Sequence, residues 1–524
     1  LPQSPEPERD RPTFRLNLAN DEIARQRQLD ALRQAGAAQR GRLAQLRDVL
    51  TGQREPRFEG DRRGGLEPVA RPIPLNQSQT EAIEFALTAS DVAIIHGPPG
   101  TGKTTTVVEL IRQAVSRGEK VLACAPSNLA VDNMLERLVA ANEKAIRLGH
   151  PARVLRELQE HTLDLLVDAH PDVALARRLL REAEDLRNKA ARYTRARPLP
   201  GARQEMRREA QELVADARRI ESQVAEHILD SANVVCATLT GLDSQVLGER
   251  TFDLAVIDEA AQAIEPACWI PLLRASRLVL AGDHCQLPPT IISPEAAREG
   301  LAVSLLERLM HDLGTGISRQ LTTQYRMHEA IMGFSSAEFY ESSLVADQAV
   351  QFHLLHDLPD VSPGPLTSTP LTFIDTAGAS YDEELEPDGE SRRNPAEAEV
   401  VGRQVQALLD AGLSPRDVAV IAPYAAQVRL LREQLPLEGL EIDTVDGFQG
   451  REKEAVIISL VRSNANGEIG FLADTRRMNV ALTRARRKLI VIGDSATIGG
   501  NPFYSRLLDY FQSHDAYRTV WEEM

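Results

Sequence analysis

Lys103 and Thr104 close the segment Gly97-Pro98-Pro99-Gly100-Thr101-Gly102-Lys103-Thr104, with the spacing G-x4-G-K-[ST]. Glycines at these positions let backbone N–H groups turn inward around an anion. A lysine here reaches the β- and γ-phosphates of a nucleoside triphosphate, and the threonine hydroxyl is placed for Mg²⁺. Thr105 carries the segment into a helix-like stretch, Val107 to Val115, whose positive end adds to the anion site. Asp258 and Glu259 follow an apolar run, Leu254–Ile257. Downstream of such a loop, Asp258 suits Mg²⁺, and Glu259 suits orienting and deprotonating the attacking water. Gln286 lies just past a second apolar run that ends in Gly282-Asp283. A neutral amide there would report whether the γ-phosphate is present.

The second half of the chain has no phosphate loop of its own. It carries Gln324-Tyr325-Arg326 and, far downstream, Thr483-Arg484-Ala485-Arg486. Phosphoryl transfer needs positive charge on the developing transition state, and an arginine from a facing domain supplies it. Arg326 and Arg484 are the candidates, and Tyr325 is placed to stack on the base. Taken in isolation, each of these short motifs reads better as ordinary surface or ion pairing.

These residues need a sheet to hold them. The runs Val92–Ile95, Val121–Ala123, Val234–Cys236, Leu254–Ile257 and Leu278–Leu280 are continuously apolar, as a buried parallel sheet requires. Four more, Leu371–Ile374, Val418–Ile421, Ala455–Val461 and Leu489–Ile492, predict a second α/β unit. The acids at 258 and 259 and the phosphate loop then share a carboxyl edge. Residues 155–230 are helical in composition and interrupted at Arg197-Pro198-Leu199-Pro200-Gly201, which predicts an inserted helical hairpin. Within 175–219, thirteen Arg/Lys face seven acids, marking either a basic surface or a solvated charged pair. Upstream, Thr13–Leu18 alternates like a lone strand, and Asp21–Leu50 reads as one long helix capped by Asn20.

The expected organisation is α/β: two RecA-like P-loop NTPase domains with an N-terminal stalk helix and a helical insertion in the first. Its boundaries are a linker and stalk over 1–60, a first domain over 61–145 and 231–318, the insertion over 146–230, and a second domain over 319–524. A length of 524 residues suits about three or four domains. Apolar content of 43% with 26% charged residues is that of a soluble globular chain. No apolar run approaches membrane-spanning length and no signal peptide is expected. The four cysteines, Cys124, Cys236, Cys268 and Cys285, show no metal spacing, which fits a reducing, cytoplasmic setting. A net charge of −16 taken alone disfavours nucleic acid, though a basic groove can exist on an acidic protein.

The motifs match a known family in order. The chain resembles superfamily 1 helicases, in the branch of the nonsense-mediated-decay helicase and the immunoglobulin-mu-switch-region-binding helicase, and is most similar to the latter. The resemblance covers nearly all of residues 13–520. It runs through Leu75-Asn76-Gln77-Ser78-Gln79, the phosphate loop, Ala125-Pro126-Ser127-Asn128 and Asp258-Glu259-Ala260-Ala261-Gln262. It continues through Gly282-Asp283-His284-Cys285-Gln286-Leu287-Pro288-Pro289-Thr290, Gln324-Tyr325-Arg326, Val445-Asp446-Gly447-Phe448-Gln449-Gly450-Arg451-Glu452 and Asn479 to Arg486.

The resemblance implies that Gln79 recognises adenine, Gln286 senses the γ-phosphate and Tyr325 contacts the nucleotide. It implies arginine fingers at Arg326 and Arg484, and a contact from Glu452 to the ribose. Single-stranded DNA or RNA would cross both domains past Ser127, Asn128, Pro289, Thr290, Thr444 and Gln449, mostly through phosphates and sugars. ATP and Mg²⁺ are the implied cofactors, and a monomer acting on tailed duplexes, moving 5′ to 3′, is the implied form. The family carries a β-barrel near its amino end, of which only a last strand and one stalk helix are expected here. The alternative reading is a strand-stimulated ATPase that remodels protein–nucleic-acid complexes without processive unwinding.

Overall fold

All five apolar runs before residue 300 form strands, and two short strands join them at the edges. In spatial order the strands are Ala145–Arg147, Val234–Thr238, Val121–Ala125, Leu254–Ile257, Leu278–Gly282, Val92–His96 and Ser318–Gln320. Every pairing is parallel. The protein is represented by a computed structural model that describes residues 22–59, 66–67, 69, 73–191, 201–386, 389 and 391–522.

The two edge strands correct the expected boundaries. Ser318–Gln320 pairs with Val92–His96 through Ile94↔Ser318, so the first unit runs past 318 to Gln320. Ala145–Arg147 pairs with Val234–Thr238, so the insertion starts after this strand rather than at 146. Each edge strand is three residues long and carries an arginine, so neither leaves an apolar run to read.

The second unit is another all-parallel sheet, ordered Glu441–Thr444, Val418–Ala422, Lys453–Ser459, Ala485–Gly493, Leu371–Asp375, Tyr517–Thr519. The four expected runs are its centre, and the two polar strands are its edges. The expected strand Ala455–Val461 stops at Ser459, and Val461 takes a left-handed φ of 70°.

The long amino-terminal helix is two helices, Glu22–Ala37 and Arg42–Leu50. The break falls at Gly41, with φ of 87°, a conformation that costs glycine little. Arg47 then donates to the carbonyls of Ala35 (3.1 Å) and Ala38 (2.6 Å), in the last turn of the first helix and just past its end. The second helix buries Leu46, Val49 and Leu50 in the same core as the first sheet, each about 1.5–3 kcal/mol of apolar burial. The expected strand at Thr13–Leu18 and the Asn20 cap lie outside the described residues.

The insertion is a hairpin of two helices, Val173–Ala191 and Ala202–Ser231. Its seam is Ala176, Ala183 and Ala190 against Ala210, Ala217 and Val224, a seven-residue spacing on both helices. Five basic and three acidic residues on the first helix meet five and seven on the second, so the pair carries no basic excess. Arg177–Asp168, Arg208–Glu212 and Arg219–Asp216 pair locally on exposed surface. These contacts fit the solvated charged pair rather than the basic surface. No described helix is long and apolar enough to cross a membrane.

Candidate nucleotide-binding cleft

Register brings the motifs to one edge. His96, the residue before the phosphate loop, lies opposite Gly282, the residue before Asp283. Ile257, before Asp258, pairs across from Cys124 and Leu280. Helix Lys103–Ser116 begins directly on the loop, with Gly100 and Gly102 at φ of 76° and 75°.

A cleft of about 660 Å³ opens at this edge between the two units. Gly97 to Thr105 line one side, with Ser127, Glu259, Gln262 and Gln286; Tyr325, Arg326, Gln449, Glu452 and Arg484 line the other. Lys103 Nζ lies 2.6 Å from Glu259 Oε1 and 3.7 Å from Asp258 Oδ1. Burial alone would lower the lysine, but Glu259 and Asp258 hold it above its ordinary value. Burial pushes the Asp258 carboxyl up; Lys103 opposes that and neighbouring Glu259 adds to it. Thr104 Oγ1 donates to Asp258 Oδ2 at 3.2 Å. A hydroxyl and a carboxylate, both hard oxygen donors and few in number, fit Mg²⁺, which keeps most of its shell for water and phosphate.

Glu259 sits at φ of 53°, left-handed backbone that a non-glycine residue adopts at a cost of about 1–2 kcal/mol. Its N–H donates to Asp258 Oδ1 (2.8 Å), and Gln262 Nε2 donates to its Oε2 (2.7 Å). With Lys103 Nζ on Oε1 and Gln262 Nε2 on Oε2, the carboxylate is held from both sides.

The second unit reaches the loop directly. Tyr325 N–H donates to the Gly100 carbonyl at 2.8 Å. A Cβ on Gly100 would lie 2.8 Å from Arg326 Cβ and 3.2 Å from Gln324 Oε1. Glycine is required here both by φ and by this approach. Arg326 is ion-paired with Glu452 through Nε, and its Nη1 donates to the Thr483 carbonyl at 3.0 Å. Burial raises the Glu452 carboxyl, yet Arg326, with Arg486 and Arg484, holds it below its usual value. Arg484 donates to the Val480 carbonyl (2.9 Å) and to Gln286 Oε1 (3.4 Å). Burial, then the charge of Arg326, pushes Arg484 down to about 9, still a cation at neutral pH.

Gln79 is 4% exposed and does not line the cleft. Its Nε2 donates to the Thr101 carbonyl (3.0 Å) and its Oε1 accepts from Asn76 N–H (3.0 Å), closing a capping box. It props the loop, because both ends of its amide are already used. Asn128 accepts from Arg147 (2.8 Å), Ser127 Oγ caps its helix by accepting from Ala130 N–H (3.2 Å), and Thr444 Oγ1 accepts from Gly447 N–H (3.2 Å). Ser127 and Gln449 line the cleft itself; Asn128, Pro289, Thr290 and Thr444 do not. Pro289 is buried and Thr290 exposed.

Two stretches of the chain, residues 74–294 and 301–496, each match an AAA domain. The chain is similar to the DNA-binding protein SMUBP-2 of Mesocricetus auratus, 46% identical over 97% of this chain and 52% of that one. It is 36% identical to an uncharacterized ATP-dependent helicase of Methanocaldococcus jannaschii, over 84% of this chain and 70% of that one. It is also 36% identical to a regulator of nonsense transcripts 1 homolog of Arabidopsis thaliana, over 84% of this chain and 34% of that one. The chain belongs to the superfamily 1 helicases. It spans about half the length of the SMUBP-2 relatives it matches.

A polar joint between the two units of this superfamily 1 chain was not foreseen from the sequence. Asp283, buried, accepts from Gln286 Nε2 (2.7 Å) and Tyr340 OH (2.7 Å), and meets His96 Nε2 at 3.1 Å. Burial would raise this carboxyl, but its partners, His96 first, hold it at about 2. Asn479 Nδ2 completes the joint, donating to Tyr340 OH (2.9 Å) and to the Cys285 carbonyl (2.8 Å). Tyr340 and Asn479 are separated by 139 positions, so no local pattern pairs them. Asn76 Nδ2, donating to Tyr325 OH at 2.8 Å, adds a further tie. Its signal was its place in Leu75-Asn76-Gln77-Ser78-Gln79.

Proposed function

We propose that the chain is an ATP-dependent helicase or translocase that moves along single-stranded DNA or RNA, 5′ to 3′. The observation that carries this is the divided site: a unit with no phosphate loop delivers Arg326 and Arg484 to a cleft whose other wall is Lys103 and the loop. Lys103 leaves its carboxylate partners to hold the β- and γ-phosphates. Mg²⁺, held by Thr104 and Asp258, supplies positive charge to the phosphate oxygens when bound. Glu259, fixed by Gln262, orients the attacking water and takes its proton. Arg326 and Arg484 face the charge that develops on the transferred group. Gln286, between Asp283 and Arg484, is placed to register the γ-phosphate. Holding phosphates from both walls closes the cleft, and losing the γ-phosphate releases it. Alternating closure is what steps a motor along a strand. The relatives' names support nucleic acid as the track, and the buried free thiols Cys124, Cys236 and Cys268 support a reducing, cytoplasmic setting. A monomer suffices, since both walls of the cleft come from one chain.

The test is ATP hydrolysis with and without single-stranded DNA and RNA, in parallel with unwinding of duplexes carrying 5′ or 3′ tails. Strand-stimulated hydrolysis with unwinding from a 5′ tail is expected. Unwinding only from a 3′ tail overturns the direction. Hydrolysis indifferent to any strand overturns the motor, and stimulation without unwinding favours the remodelling ATPase.

A further inference from the structure

Phe471 stands out on the carboxyl edge of the second sheet, with 59% of its surface exposed. It lies in the turn Gly470–Ala473, which is fixed from below. Gly470 takes φ of 55°, and a Cβ there would collide with Arg462 and lie 2.6 Å from the Tyr424 hydroxyl. That hydroxyl accepts from Arg462 Nη1 (3.2 Å) and from Phe471 N–H (3.3 Å). On the other side, buried Tyr504 donates to the Leu472 carbonyl at 2.8 Å. The ring of Tyr424 lies 5.3 Å from that of Phe471, tilted by 52°. The turn is rigid and the aromatic ring is its outward-facing part.

Position and charge indicate what the ring meets. Tyr424 follows the strand Val418–Ala422, and Arg462 follows Lys453–Ser459; both leave a parallel sheet at its ligand-binding edge. The Arg477 guanidinium lies 5.6 Å from the Phe471 centroid. The same arginine faces Asp446 at 3.6 Å and Asp474 at 3.9 Å, neither at hydrogen-bond distance. Asp446 lies two residues past Thr444, expected along the strand path, and lines the nucleotide cleft with Gln449; Phe471 does not line that cleft but stands beside it through Arg477. One ring is far too small for a protein interface, which needs about 800 Å² on each side. A flat ring beside a cation matches one base and its phosphate.

We propose that Phe471 is a stacking platform for one base of the single strand, with Arg477 facing the adjoining phosphate. This rests on the reading of the chain as a strand-tracking motor and adds a residue that grips a base rather than the backbone. Stacking of this kind is indifferent to sequence, because every base has a π-face.

The test measures binding of oligothymidylate, and of an equally long strand of abasic sites, to the whole chain and to Phe471→Ala and Phe471→Trp. Phe471→Ala is expected to weaken oligothymidylate binding about 5- to 150-fold, the range for one stacked base. It should leave abasic-strand binding and strand-free ATP hydrolysis unchanged, and Phe471→Trp should restore the affinity. Equal binding of oligothymidylate by Phe471→Ala and the native chain overturns the platform, as does an equal loss on both strands. If the native chain binds no strand at all, the motor reading fails first and the platform falls with it.

Discussion

The approach of the second unit to the phosphate loop gives a perturbation whose two components separate. Gly100→Ala introduces a Cβ at φ of 76°, a left-handed conformation that costs about 1–2 kcal/mol. It also sets that Cβ 2.8 Å from Arg326 Cβ, where carbon atoms prefer about 3.5–4.0 Å. Roughly 1 Å must open between the loop and Gln324-Tyr325-Arg326. Opening the cleft relieves the clash at little cost to either core, so the damage should fall on turnover rather than folding. A misplacement of that size costs on the order of 10²-fold in rate. Gly118→Ala is the control: its φ is 83°, yet nothing lies within 4 Å of the new Cβ. Steady-state ATP hydrolysis and thermal melting of both variants are the assays. Both should melt lower by about 2–4 °C for each kcal/mol lost, while only Gly100→Ala loses about 10²-fold in kcat. Turnover by Gly100→Ala within two-fold of the native chain, or an equal loss in Gly118→Ala, would falsify the argument from approach.

Glu259→Gln keeps the shape and the Gln262 contact but loses the proton acceptor, so kcat should fall by ~10²–10⁴ with nucleotide binding retained, as a filter or fluorescence titration would report. Arg326→Ala should lower kcat by ~10³ or more in single-turnover hydrolysis, with a much smaller change in KM for ATP. Asp91 ties the helix Arg42–Leu50 and Arg57 beyond it to the first sheet. Burial would raise its carboxyl, but Arg57 and then Arg42 hold it at about 2, against an ordinary 3.8. Its folded value is the depressed one, so the stabilisation is present above about pH 4 and drains away as pH falls toward 2. Asp91→Asn should therefore cost about 2 kcal/mol at pH 7 in urea unfolding and flatten the acid limb; an unchanged acid limb would sink the assignment.

The centre of each sheet was legible because strands buried on both faces must be apolar throughout. Its edges were not. Ala145–Arg147, Ser318–Gln320, Glu441–Thr444 and Tyr517–Thr519 are short or polar, and only their pairing makes them strands. The one-helix reading of Asp21–Leu50 failed at Gly41 because apolar periodicity continues across a turn that glycine permits. In the cleft, the residues proposed for phosphate were picked out by type and spacing, and the structure gathers them on its walls. Gln79 is not among them, because a local capping box competes for its amide, and spacing alone does not show which contact wins. The joint of Asp283, Tyr340 and Asn479 is purely tertiary.

In the proposed motor, that joint would also set how the two units move. Tyr340 and Asn479 bind the first unit at buried Asp283 and at the Cys285 carbonyl, so this place acts as a fulcrum. Gln286 is held by the same carboxylate and meets Arg484 at the rim of the cleft. A rotation that keeps the fulcrum bonded but breaks the Tyr325 ties to Gly100 and Asn76 would swing Arg326 away from the phosphate loop. Any group that draws Arg484 away from Gln286 pulls on the pivot through one carboxylate. The proposed motor would then be a lever whose short arm, from Tyr340 through Asp283 and Gln286 to Arg484, is three hydrogen bonds long.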